Sequence, residues 1–305
     1  MTGEFTTQKI TPNLWFDNQA EEAAAYYVSL FDQAASGSAA HYGQAAAEVS
    51  GQAEGSVLTV PFTLKGLQFV ALNGGPHFTF NPSISFFVHC DNEAEVDALF
   101  EGLSAGGAVL MPLQAYPFSE KFAWVQDRYG LTWQLNLNPA GGGAIVPAML
   151  FTGAQCGRAE EAIALYTNLF DDSAVDAMQY YGPDAAPERE GTVLHAVFRL
   201  AGQPFSAQDS NLEHGFAFNE AISFIVDCRD QTEVDYFWDT LAAGGEIQQC
   251  GWLKDKFGVS WQIIPRRLPE LLGAADREKA ERATQAMLQM KKIDVAALER
   301  AFAGV

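Results

Sequence analysis

The stretch WVQDRYGLTWQ (residues 124–134) recurs as WLKDKFGVSWQ (residues 252–262). Both copies keep Trp124/Trp252, Asp127/Asp255, Gly130/Gly258, Trp133/Trp261 and Gln134/Gln262 in one spacing. An Asp-x-x-Gly turn followed by alternating residues reads as a turn feeding a half-buried strand. Upstream of it, Ser83–Gly107 aligns with Ala221–Gly245. The matches there include Ile84/Ile222, Ser85/Ser223, Phe86/Phe224, Cys90/Cys228, Glu95/Glu233 and the closing pairs Gly106-Gly107 and Gly244-Gly245. Further upstream, Ile10-x-Pro12, Ala20-Glu21-Glu22, Tyr27 and Leu30-Phe31 recur as Ile145-x-Pro147, Ala159-Glu160-Glu161, Tyr166 and Leu169-Phe170. Three collinear blocks of this kind mean an internal duplication. Residues 1–139 form the first domain and 145–265 the second, joined at the Gly-rich segment 139–143, with 266–305 as an extension.

Each copy divides again. Ile10, Pro12, Leu14 and Phe16 alternate with other residues as in a strand, and Pro12 suits an edge or strand end. Asn18 and Glu21 are placed to cap a helix that carries Ala23, Tyr27, Leu30 and Phe31 on one stripe. Strands are expected near 38–43, 56–65 and 67–73. The pattern restarts with a strand at 84–90 and a helix capped by Asn92 and Glu95 that ends at Gly106-Gly107. Strands near 108–114, 121–126 and 131–137 follow. The fold class is therefore α+β, with four strand–helix–three-strand units whose paired sheets curve into half-open clefts.

The 305 residues carry 38 acidic and 18 basic side chains, a formal charge of −20. Such a field repels phosphate backbones and anionic lipid surfaces, so neither nucleic acid nor membrane is an expected partner. No apolar stretch reaches the roughly 20 residues that span a bilayer. With no signal-peptide core at Met1–Lys9, a cytoplasmic protein is expected. The four cysteines lack metal-ligand spacing; Cys90 and Cys228 read as buried small residues, while Cys156 and Cys250 fall near loops.

The segments ITPNLWFDNQAEEAAAYYVSLF, FVALNGG and CGWLKDKFGVSWQIIP resemble the PhnB-like family, customarily described as 3-demethylubiquinone-9 3-methyltransferase. That family falls within the vicinal-oxygen-chelate (VOC, glyoxalase/bleomycin-resistance) superfamily. The resemblance covers nearly all of both copies and implies two tandem glyoxalase-like domains, each a pair of βαβββ units. Family members that dimerise from single domains would here be joined covalently, giving a pseudo-dimeric monomer or a homodimer of such chains. The resemblance also implies where a metal would sit. The superfamily's final-strand Glu falls on Gln134 and Gln262, and its first-strand His near 11–13 and 146–148. Its third ligand falls near 83–85 and 221–223. None of these positions holds His or a carboxylate, so no cofactor is expected and a divalent metal is disfavoured. Methyl transfer from S-adenosylmethionine is not expected either, because Gly141–Gly143 lies in a linker with no capped helix behind it.

Alternation places Asn13 and Trp15 in the cleft of copy one, with Thr132, Gln134 and Asn136, and places Ala148, Leu150, Ser260, Gln262 and Ile264 in that of copy two. Asn73 joins the first set. Trp124 and Trp252 stand at the turn before the last strand, where they could close a cleft mouth or pack in the core. Trp133, Trp238 and Trp261 read as core. His195 and Asp209 are candidate acid–base groups or ligands beside Gln262, against the plainer reading of His195 as a buried, hydrogen-bonded histidine. His41, His77, His89 and His214 are expected to be exposed. The tail, with helix caps at Asp276 and Asp294, should pack on a domain or on a second chain. Three functions are compatible with these features. They are a small-molecule-binding or lyase/isomerase-like protein with metal-independent clefts, a binding-only module that sequesters its ligand, and a metalloenzyme using His195, Asp209 and Gln262.

Overall fold

A computed structural model describes residues 8–140 and 142–305; residues 1–7 and Gly141, on which part of the leader and linker readings rest, lie outside it. Copy one runs β1 (Ile10–Phe16), α1 (Ala20–Leu30), β2 (Ala35–Ser36), β3 (Ala40–His41), α2 (Gln44–Ser50), β4 (Val57–Leu64) and β5 (Leu67–Asn73). Its second unit is β6 (Ile84–Cys90), α3 (Glu93–Ser104), β7 (Ala108–Tyr116), β8 (Ser119–Gln126) and β9 (Thr132–Leu137). Copy two repeats this as β10 (Ile145–Phe151), α4 (Ala159–Leu169), β11 (Ala174–Tyr180), β12 (Val193–Leu200) and β13 (Gln203–Asp209). It continues with β14 (Ile222–Cys228), α5 (Gln231–Leu241), β15 (Glu246–Ile247), β16 (Trp252–Lys254) and β17 (Ser260–Pro265). The tail adds α6 (Arg267–Leu272), α7 (Arg277–Leu288) and α8 (Val295–Ala303). The strand expected at 38–43 is only the fragments β2 and β3, and α2 follows where no helix was foreseen.

The sheets do not follow the copies. One sheet is ordered β15-β16-β17-β14-β1-β5-β4-β2, the other β11-β12-β13-β10-β6-β9-β8-β7. Each joins the first half of one copy to the second half of the other, through antiparallel seams at β1–β14 (Asn13 opposite Ser223) and β10–β6 (Ala148 opposite Ser85). Pro12 therefore sits in a central strand rather than at an edge. The β1–β5 ladder begins at Asn13, one residue past Pro12, and the β10–β13 ladder begins at Ala148, one past Pro147. The missing N–H falls just ahead of a ladder, where it breaks no sheet bond.

The core does follow the copies. Tyr27 packs on Trp133 at 5.3 Å between ring centres, and Phe69 on Phe86 at 5.0 Å. In copy two Tyr166 packs on Trp261 at 5.3 Å and Phe205 on Phe224 at 5.7 Å. Each pair links the two halves of one copy, so the apolar face of each half-sheet packs against the other half of its own copy. The polar organiser is the Asp-x-x-Gly turn. Asp127 accepts the backbone N–H groups of Tyr129 and Leu131, the Tyr27 hydroxyl (2.8 Å) and the Trp133 indole (2.9 Å). Asp255 does the same with Phe257, Val259, Tyr166 (2.6 Å) and Trp261 (2.9 Å). Burial pushes both carboxyls above the usual range while these donors pull the other way. Gly107 and Gly245 pass under this turn; a Cβ at either would lie 2.0 Å from the carbonyl of Gln126 or Lys254.

Copy two's hairpin between Gly244 and Trp252 is ten residues shorter than copy one's between Gly106 and Trp124. The tail fills that place. Cys250 and Gly251 donate to the carbonyls of Met290 and Lys291, and Ile293 is buried in an apolar cluster with Leu268, Leu271, Ala283 and Leu298. The Glu281 carboxylate in α7 reaches the Ala45 N–H at the start of α2, so the tail also ties copy two to copy one. Asp276 and Asp294 cap α7 and α8 as expected.

Replacing Asp127 or Asp255 by Ala strands four buried donors, and each change should cost about 3 kcal/mol or more. Urea unfolding measures this; a loss below about 1 kcal/mol would show that the turn does not organise the core.

Candidate functional site: two clefts built across the copies

In each sheet the face away from the helices curls inward. Trp15 on β1 and Trp252 on β16 are separated by two strands, about 14 Å across a flat sheet. Their rings nevertheless meet edge to face with centres 5.9 Å apart. Beneath them lies a polar floor. Asn13 Nδ2 donates to Ser223 Oγ at 3.4 Å, and Gln262 Nε2 donates to the same oxygen at 3.0 Å. Ser260, level with Ser223 on the next strand, is fully buried and its hydroxyl has no partner. An unpaired buried hydroxyl costs about 1–3 kcal/mol, so this floor is poised for a hydrogen-bonding guest. Trp15 is held by its indole N–H on the Gly75 carbonyl (2.8 Å), with Phe78 packed edge-on at 5.0 Å.

The second cleft carries Ser85, Phe87 and His89 of β6, Gln134 of β9, Trp124 of β8, Ala148 and Leu150 of β10, and His195 of β12. Gln134 Nε2 donates to Ser85 Oγ at 2.9 Å, the counterpart of Gln262 on Ser223. Here Ala148 and Leu150 replace Asn13 and Trp15, so the floor is mostly apolar. The Trp124 indole N–H is buried without a partner. The His89 ring packs tilted against Phe87 with centres 5.0 Å apart, and its Nδ1 lies 3.2 Å from the Asn138 amide. Burial lowers the pKa of both His89 and His195, with a smaller contribution to His89 from His195 itself.

The predicted site residues thus part company. Asn13, Trp15, Trp252 and Gln262 share one cleft, while Trp124, Gln134 and His195 share the other. The expected grouping of Asn13 and Trp15 with Gln134, and of His195 with Gln262, is corrected because the sheets exchange halves between copies. Two candidates leave the clefts. Asn73 lies on the helix side, where its Oδ1 accepts the Ala20 N–H (2.8 Å) and its Nδ2 donates to the Val57 carbonyl. Asp209, its counterpart, accepts from the N–H groups of Gly157, Ala159 and Val193. These side chains cap α1 and α4 from the strand next to β1 or β10; Asn18 makes no cap. The metalloenzyme set His195, Asp209 and Gln262 is therefore dispersed. His41 and His77 are exposed as expected, but His89 and His214 are half-buried, the latter bonded through Nε2 to Ser210 Oγ at 2.8 Å. Cys90 and Cys228 are buried, and burial pushes both thiols up to about 12. A surface depression of about 570 Å³, bounded by Thr152 and residues 211–217, contains none of the floor residues of the Trp15 cleft.

Both glutamines present an amide N–H to a serine where a metal needs lone pairs, and no group of three His, Cys, Asp or Glu converges among the described residues. Ser260 was expected in a cleft from alternation, whereas Glu220, Lys254 and Ser223 were not singled out as cleft residues, because only the cross-copy seam brings them beside Trp15.

A family profile described as 3-demethylubiquinone-9 3-methyltransferase matches residues 8–136 and 143–264. The chain belongs to this family. A Bacillus cereus PhnB protein bearing the same description is 44% identical over 43% of this chain and 100% of its own, with a TM-score of 0.39. Maize glyoxalase I is 10% identical over 82% of this chain and 89% of its own, with a TM-score of 0.51. A point mutant of the same maize enzyme, also 10% identical, covers 84% of this chain and 94% of its own at a TM-score of 0.53. The fold of this PhnB-like chain is thus glyoxalase-like. No curated protein matches the chain. No helix among the described residues is long and apolar enough to cross a membrane.

Because His89 and His195 have lowered pKa values in the folded chain, the unfolded chain takes up protons first as pH falls below about 6.5. Folding stability should therefore drop between neutral pH and the lowered native values. The His89→Gln/His195→Gln double variant should lose less over the same interval. Urea midpoints at pH 7.5 and 5.5 compare the two; equal losses would contradict the assignment.

Proposed function

We propose that the PhnB-like chain is a small-molecule-binding protein whose ligand lies in the Trp15–Trp252 cleft, held by hydrogen bonds without a metal ion. The observation that carries this reading is the floor of Asn13, Ser223 and Gln262 with the free, buried Ser260 hydroxyl beneath two tryptophan edges. Ligand sites combine apolar walls with a few fixed polar groups, and this cleft has both. A planar ring can pack against the Trp15–Trp252 pair, where aromatic contacts contribute about 0.5–1.5 kcal/mol beyond area burial. The polar head of the ligand then meets amide and hydroxyl groups. The second cleft has a poorer floor, so the chain is functionally one-sided. Gln134 and Gln262 each donate an amide N–H to a serine, which favours binding or metal-independent turnover.

A thermal-shift screen of ring-bearing metabolites against the full chain tests this reading. Hits should quench tryptophan fluorescence, and Gln262→Leu or Trp15→Leu should weaken them about tenfold or more, the loss of roughly one good contact, while Gln134→Leu leaves them unchanged. Hits that depend on Gln134 and ignore Gln262 would overturn the choice of cleft.

A further inference from the structure

Resting on that reading of the Trp15–Trp252 cleft, we propose that it selects ligands with a hydrogen-bond-donating head, neutral or cationic, and rejects carboxylates, and that Glu220 sets this preference. Glu220 precedes Ala221, whose carbonyl accepts the Trp15 backbone N–H at 2.8 Å. It is thus anchored beside the aromatic gate. The residue is buried, at 7% exposure. Its Oε1 takes both available donors, Lys254 Nζ at 2.7 Å and Gln248 Nε2 at 2.9 Å. Oε2 receives neither and is the acceptor left for a guest.

Lys254 stands two residues from Trp252 on the same face of β16, and its register partner is Ser260. It is therefore the cation nearest the floor, but it is already committed. Besides Glu220 it faces Glu246 at 3.8 Å. Two carboxylates against one ammonium leave this end of the cleft with a negative excess, inside a chain whose formal charge is −20. A buried charge is screened by salt far less than an exposed one. An incoming carboxylate would have to break the Lys254–Glu220 pair and would leave Glu220 buried without its counter-ion. An incoming donor needs neither step, because it can bond Oε2 directly. The other cleft carries Pro82 and Gln126 at the matching positions, so the preference belongs to one side of the molecule.

Benzamidinium, benzamide and benzoate share one ring and differ in head charge, which isolates the claim. Their binding to the full chain is followed by tryptophan quenching. Benzamidinium should bind about tenfold or more tighter than benzoate, the ratio one discriminating charge contact supplies. In Glu220→Gln that gap should close to about threefold or less. Benzamide should weaken only about threefold or less, because the amide oxygen of Glu220→Gln still accepts an N–H; an unchanged urea midpoint reports that the variant is folded. Benzoate binding as tightly as benzamidinium, or a gap that survives Glu220→Gln, overturns the proposal alone. Absence of quenching by all three, or quenching that persists in Trp15→Leu/Trp252→Leu, overturns the cleft reading and the proposal with it.

Discussion

The rest of the structure depends on two antiparallel seams, β1 on β14 and β10 on β6. A βαβββ half has one apolar face and one free strand edge, and it must satisfy both. Its apolar face packs on the other half of its own copy, through Tyr27–Trp133 or Tyr166–Trp261. Its free edge pairs with a half from the other copy. Core and cleft are thereby assigned to different partners, and neither copy can complete a cleft floor alone. This geometry makes duplication functional. The two copies are free to diverge, yet every divergence is shared between two clefts.

That sharing explains the asymmetry of the sites. Copy one brings Asn13 and Trp15 to a floor completed by Ser223, Ser260 and Gln262 of copy two. Copy two brings Ala148 and Leu150 to a floor completed by Ser85 and Gln134 of copy one. The shortened hairpin after Gly244 adds a second difference. It opens a place beside Trp252 that the tail occupies, so that Met290 and Lys291 pair with Cys250 and Gly251. The tail is thus packed beside the strand that carries Trp252.

Much of the fold was legible from residues alone. Alternation in β1, the caps at Asn92, Asp276 and Asp294, and the Gly106-Gly107 and Gly244-Gly245 stops all mark local physics, and local physics is what periodicity records. The cleft face of Asn13, Trp15 and Gln262 followed from the same alternation. What was not legible is non-local. Nothing in the neighbourhood of Asn73 or Asp209 shows that each side chain reaches from a neighbouring strand to cap a helix, and a carboxylate near a predicted strand end reads as chemistry instead. Pro12 read as an edge signal because the ladder start at Asn13 depends on a partner strand 57 positions away. The exchange of halves is invisible to a repeat pattern, since pairing within a copy and pairing between copies bury identical faces.

The exchange is tested most directly by engineered disulfides. Thr11 and Ile225 are register partners across the β1–β14 seam, at a spacing of roughly 5.5 Å for a hydrogen-bonded antiparallel pair, within disulfide reach. Phe87 is the residue of copy one that matches Ile225. Under mild oxidation, Thr11→Cys/Ile225→Cys should give an intramolecular cross-link mapped by mass spectrometry, and Thr11→Cys/Phe87→Cys should not. Cross-linking of the second pair in place of the first would contradict the shared clefts and every site assignment built on them.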